Sequence, residues 1–288
     1  MLSPVLLYAS VPALGRGARL GVSTPGDLEN PFKGPMLLDE IRIRVTWPAT
    51  GNNPGVALAT LLQGNFKLGT TPLTKGDVPI DLLGTVINEG RDAAMFGNTT
   101  GEPRSYYQWR LPKPLFIGQN ESVMPEFYLP LETNTPAGGL AGVEVMYACR
   151  PLPPGTLPTR IFMPWVAAYR TLAAATSTGK DLVNPWRENL VVQRFMGRTP
   201  SAYSSPGDAA SGNFLVPGQA SGVSVMRMHS SSGHQIVRTK MPFGSVFNVN
   251  DRSWPVGSIL PPRGYYIISV DGSCAISMVG YREIVPSA

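Results

Sequence analysis

Residues 38–47 read L-D-E-I-R-I-R-V-T-W, with Ile41, Ile43 and Val45 alternating with Arg42, Arg44 and Thr46. A period of two puts the apolar chains on one face and the polar chains on the other, the pattern of a half-buried strand. Pro48 and the run G-N-N-P-G at 51–55 end it. Similar segments recur outward from here. Residues 66–68, 78–83 and 85–87 are short strand candidates bounded by Gly, Pro or Asp, and 56–63 is compatible with one short helix. Residues 106–111 and 115–117 are aromatic-rich strand signals interrupted by Pro112 and Pro114, and proline confines such segments to strand ends or sheet edges. Residues 126–131 and 142–150 follow, the latter with Val143, Val145 and Tyr147 on one face. Further on, 160–172 is apolar and aromatic around Pro164, and 167–175 has the composition of a helix. Residues 222–228, 236–239, 246–249, 265–270 and 275–284 read as strands, and the Ser/Pro/Gly-rich 199–212 reads as a long loop. Strands spaced by about 8–12 residues with turn signals between them indicate a sandwich or barrel.

Composition points the same way. The chain has 288 residues, 43% of them apolar, enough for a sizeable core. Its 31 glycines and 29 prolines argue against a helical protein, because these are the two poorest helix formers. The apolar content is too high for disorder. Charged residues make up 15%, against about 25% in ordinary soluble domains. The net charge is +5, and arginine outnumbers lysine 18 to 6. Arginine suits fixed hydrogen bonding in interfaces, whereas lysine keeps a surface solvated. Such a chain reads as a subunit whose surface is largely covered by neighbours, or as the product of a GC-rich or thermophilic genome, which shifts composition the same way.

Pro151, Pro153, Pro154, Gly155 and Pro158 make the best linker in the sequence, since repeated prolines form a stiff spacer. The strands before the linker and at the end of the chain echo each other, with Met146 matching Met278 and Arg150 matching Arg282 at one spacing. The expected organisation is an N-terminal arm (1–35), a first β-barrel (36–150), a linker (151–159) and a second β-barrel (160–288). The fold class is all-β, two jelly-roll-like barrels or sandwiches with few short helices. A single jelly roll with a large insertion is the alternative.

No catalytic constellation emerges. His229 and His234 are the only histidines, five apart in a Ser/Gly loop without a Cys or carboxylate beside them, which is no metal-site spacing. There is no G-x-S-x-G elbow and no Walker motif. The glycines from Gly15 to Gly21 do not fit a dinucleotide loop. Asp39 and Glu40 would face opposite sides of a strand. The aromatic cluster Tyr106, Tyr107 and Trp109 suits a sandwich core or subunit contact, or a sugar or base platform. Cys149 and Cys274 read as two buried thiols. The expectation is a protein that is not an enzyme and takes no cofactor, no metal and no small-molecule substrate.

The first 35 residues are irregular and carry an apolar stretch, Val5, Leu6, Leu7 and Tyr8, followed by Arg16 and Arg19. No basic segment precedes that stretch, so it is a poor signal peptide. It reads as an assembly arm, ordered only against a neighbouring chain, a membrane or a genome.

Two β-rich halves, low charge, long Pro/Gly loops and an apolar arm together resemble the jelly-roll major capsid proteins of membrane-containing icosahedral phages, the tectivirus–adenovirus lineage. The resemblance lies in architecture and composition, carried by the strands over 38–150, the linker and a second β half ending at Ile284. The Arg-over-Lys, Pro-rich texture is also similar to coat proteins of phages infecting thermophiles, which use single barrels. The resemblance implies a structural virion protein, made in the host cytoplasm, that assembles with itself into trimeric capsomers and with other capsid proteins into an icosahedral shell. It implies that the arm meets internal membrane lipid, the genome or a neighbouring subunit. A phage tail, spike or baseplate protein and a carbohydrate-binding sandwich are the readings from other classes.

Overall fold

Residues 36–46 form an eleven-residue strand, β3 (Met36–Thr46), in which Ile41 and Ile43 are fully buried while Arg42 and Arg44 face outward. The computed structural model describes residues 4–15, 17–46, 62–88, 105–130, 141–171, 173–198, 224–247, 253–272 and 274–286. The other strands of the first half are β1 (Val5–Leu14), β2 (Arg19–Gly21), β4 (Gln63–Leu68), β5 (Thr71–Pro72), β6 (Val78–Pro79), β7 (Thr85–Asn88), β8 (Ser105–Ile117), β9 (Val123–Tyr128) and β10 (Ala141–Pro151). Those of the second half are β11 (Ile161–Thr171), β12 (Ala175–Thr176), β13 (Leu182–Val183), β14 (Leu190–Arg198), β15 (Ser224–Ser230), β16 (Gln235–Val237), β17 (Met241–Pro242), β18 (Ser253–Leu260), β19 (Tyr265–Val270) and β20 (Cys274–Ile284). The helical pieces among the described residues are three single turns, Pro25–Leu28, Ile80–Leu82 and Phe243–Val246.

Each half is a pair of antiparallel sheets with one strand order. In the first, β1-β10-β3-β8-β7 faces β2-β9-β4-β5, with β6 also on β4. In the second, β11-β20-β14-β18 faces β12-β19-β15-β16, with β13 on β19 and β17 on β15. In both, the opening strand lies beside the closing one, and the chain passes repeatedly from one sheet to the other, with β7 as an extra strand on β8 in the first half. That is the doubled Greek key of a jelly roll.

The likeness extends to single residues. Asn30 and Asn184 are both buried, each followed by Pro, an aromatic and a basic residue. The Asn30 side chain accepts from the Phe32 N–H and donates to the carbonyls of Gly34 and Gly118. Asn184 accepts from the Trp186 N–H and donates to Glu188, Leu260 and Pro261. Each thereby ties the entry of the third strand to the turn between the strands equivalent to β8 and β9. That turn carries a non-glycine residue at positive φ in both halves, Asn120 (61°) and Arg263 (58°). The ladders also break at matching places. The β3–β10 register shifts between Ala148 and Cys149, leaving Asp39 unpaired, and the β14–β20 register shifts across Gln193.

The halves differ in what covers them. In β10, Val143, Val145, Tyr147 and Cys149 point inward, and Glu144, Met146 and Ala148 stay half-exposed on the outer face. In β20, every residue from Cys274 to Gly280 is buried. Ile276 and Met278 fill the second core, while Ala275 and Val279 pack into a cluster continuous with the first. The Ser277 hydroxyl donates to the Leu82 carbonyl at 2.6 Å. A near-continuous apolar run is what a strand buried on both faces requires.

Several expectations are corrected. The irregular arm over 1–35 contains β1, paired with β10 from Val5 to Leu14. Its alternation of Leu7, Ala9 and Val11 inward against Leu6 and Tyr8 outward is a strand period, and Pro12 is tolerated because β1 is an edge strand. Residues 167–171 belong to β11 rather than a helix, because pairing along β20 overrides the helix preference of alanine. Residues 243–246 are a helical turn where a strand was expected at 246. The two segments around Pro112 and Pro114 are one strand, β8, in which residues 111–114 bulge opposite Asp39. Met146 and Met278 do not correspond, since one faces out and the other in. A one-residue offset reverses every face of a strand. Of the helix expected over 56–63, residues 56–61 lie outside the described residues and Gln63 opens β4 instead, and the loop expected over 199–212 lies outside the described residues.

Candidate assembly surface

Strand β1 forms one edge of the first sheet. Leu7 is buried, Val5 half-buried, and Leu6 and Tyr8 are 58% and 50% exposed. Arg16 lies outside the described residues. Arg19, in β2, donates to Asp77 at 2.7 Å and to Glu126 at 3.0 Å, and its guanidinium lies over the Tyr128 ring. Those hydrogen bonds hold the Arg19 pKa above its ordinary value against the opposing effect of burial. The structure thus groups Val5, Leu6, Leu7 and Tyr8 on one edge and gives Arg19 to a separate ion-pair cluster.

From the edge inward, the outer face of this sheet passes from apolar to paired charge. Leu6 lies beside Ala148, and Tyr8 beside Met146. Burial, and secondarily the Glu144 carboxylate that bonds it, raise the Tyr8 phenol above its usual range. Beyond them Arg44 pairs with Glu144 at 3.5 Å, and Glu40 pairs with Arg42 and with Arg110 at 3.6 Å. Charges satisfied within the sheet leave a face with little free charge, which lowers the desolvation cost of covering it.

The matching outer face of the second half is already covered by the first half. The segment at 73–75 runs along the free edge of β11, forming a parallel bridge between Thr74 and Val166. The Val166 N–H donates to Leu73 O at 3.0 Å, and Val166 O accepts from Lys75 N at 2.8 Å. The Lys75 ammonium reaches Asp181 O at 3.0 Å, and burial lowers its pKa. Pro164, two residues before Val166, points its nitrogen to the same free side, where no ladder bond is lost.

The residues considered for chemistry are scattered. The His229 ring bonds the adjacent Ser230 carbonyl, and His234 is exposed on the following turn. Among the described residues no three His, Cys, Asp or Glu side chains group to hold a metal. Trp109 is buried edge-to-face against Phe66 at 5.4 Å, and Tyr107 is buried too, so both serve the core. Cys149 and Cys274 are free and buried. The pair of Asn-Pro-aromatic-basic segments, visible in the sequence as N-P-F-K and N-P-W-R, was the signal of internal repetition that the strand-end comparison missed.

No family model matches the sequence, and no curated protein matches it. Among solved structures the chain is similar to the STIV MCP, with a TM-score of 0.51 at 9% identity over 98% of this chain and 97% of that one. The chain shares its fold, a double jelly roll. Similarity to the major capsid protein P2 from bacteriophage PM2 has a TM-score of 0.46 at 10% identity, covering 99% and 98% of the two chains. For the Faustovirus major capsid protein the TM-score is 0.41 at 7% identity, covering 99% and 90%.

Proposed function

We propose that this protein is a viral major capsid protein, a structural coat subunit that self-associates into trimeric capsomers and builds, with other capsid proteins, the icosahedral shell of a virion. The observation that carries the reading is the pair of jelly rolls of one topology within a single chain, matched over nearly its whole length by the fold of the STIV MCP. Three such chains offer six equivalent barrels, the outline of a hexagonal tile, so trimers fill a lattice with few distinct contacts. The two barrels are read as two domains, 36–150 and 160–288, joined by the linker at 151–159. The role is structural rather than catalytic, and the apolar edge at β1 is an assembly contact. Light scattering at high protein concentration and moderate salt tests it. A trimer or a larger closed assembly is expected, and a monodisperse monomer overturns the reading.

A further inference from the structure

We propose that β1 of one copy and residues 237–239 of the next repeat, between chains, the edge bridge that joins the two barrels within a chain. This rests on the self-association reading above and names its contact.

The correspondence follows from register. Ile41 pairs with Tyr147 and Phe195 with Met278, on third strands aligned by Asn30 and Asn184. Tyr147 in turn pairs with Leu7, and Met278 with Ala167. Leu7 therefore occupies the place of Ala167, Leu6 that of Val166, and Pro4 that of Pro164. The backbone direction agrees. Ser10 O accepts from Ser23 N on the free side of β1, so the period of two turns the polar groups of Tyr8 and Leu6 to that side as well. Among the described residues, no bond to the free side of β1 at Leu6 or Tyr8 matches the pair made by Val166. Val166 is fully buried, and Leu6 is 58% exposed.

The other partner is found in the same way. Leu73 N donates to Phe66 O in the first half, and Val237 pairs with Met228 in the second. Phe66 and Met228 hold equivalent places opposite Pro125 and Ile268. Val237 thus stands for Leu73, and Arg238 and Thr239, both exposed, stand for Thr74 and Lys75. One end of the chain presents an open strand edge, and the other presents the segment that caps such an edge. Contacts of this head-to-tail kind close into rings when the rotation permits. An exposed edge strand is a standing template for pairing with another chain.

Two variants of the full chain test this. Leu6→Pro removes the outward N–H of β1 and leaves the inward ladder to β10 intact, as Pro164 does in β11. It should keep the near-UV circular dichroism of the parent and weaken subunit association at least tenfold. Combining Leu6→Cys with Arg238→Cys should give, under oxidation, an inter-chain disulfide and a closed oligomer on a non-reducing gel, with Leu6→Cys alone giving none. Cys149 and Cys274 are buried and do not compete. If Leu6→Pro fails to fold, the disulfide pair decides. If the parent assembles, a double-cysteine chain that assembles without crosslinking overturns this contact and leaves the coat-protein reading standing. A parent chain that stays monomeric overturns both.

Discussion

Asn30 and Asn184 each satisfy several backbone groups in a space closed to water. Replacing either by alanine strands buried carbonyls and an N–H, at a cost of about 2–3 kcal/mol. We expect the two losses to be similar and, since the sites lie in different barrels, nearly additive in urea-unfolding midpoints. Arg263 holds a positive φ that favours glycine, so Arg263→Gly should stabilise by about 0.5–1 kcal/mol, read as a higher melting temperature. Cys149 and Tyr147 supply a pH dependence. Burial pushes the Cys149 thiol up to about 12, with Asp39 adding to the effect, and burial raises the Tyr147 phenol, which donates to Val123 O. Both folded values lie above the unfolded ones, about 8.5 for Cys and 10 for Tyr. Their contribution is complete below about pH 8.5 and is lost as the pH rises beyond it, because only the unfolded chain ionises. The urea midpoint should therefore fall between pH 8 and pH 10.5. A flat profile, or thiols that react with Ellman's reagent in the native state, contradicts this assignment.

At the level of elements, strands whose two faces differ were legible. β3, β10 and β19 alternate because one face is core and the other is open, and the residue period records that directly. β11 and β20 were harder. Both faces of β20 are buried, so its sequence shows a run rather than a period, and alanines in β11 mimic a helix. β1 was missed as a strand because Pro12 and the absence of charge look like a loop, although on an edge strand neither is a defect. The apolar stretch Val5 to Tyr8 was legible in the sequence, yet its place on a sheet edge needed the ladder to β10. A close contact between two strands supplies a further prediction. A Cβ on Gly280 would lie 2.4 Å from Val191 O, so the β14 and β20 backbones meet there at a distance only glycine allows. Gly280→Ala should cost about 1–3 kcal/mol through overpacking, seen as a lower urea midpoint.

For the whole molecule, the two barrels have one topology and unequal surroundings. The second has its outer face covered from within the chain, and among the described residues the first leaves the matching face and the β1 edge open. Under the head-to-tail contact proposed above, the next copy fills that open edge. Electron microscopy of the purified protein tests this most directly. Capsomers of three chains with six barrel-sized lobes around a ring, or shells tiled by them, are expected. Isolated two-lobed particles at concentrations where coat proteins assemble, or fibres and tail-like rods in place of rings and shells, would contradict it.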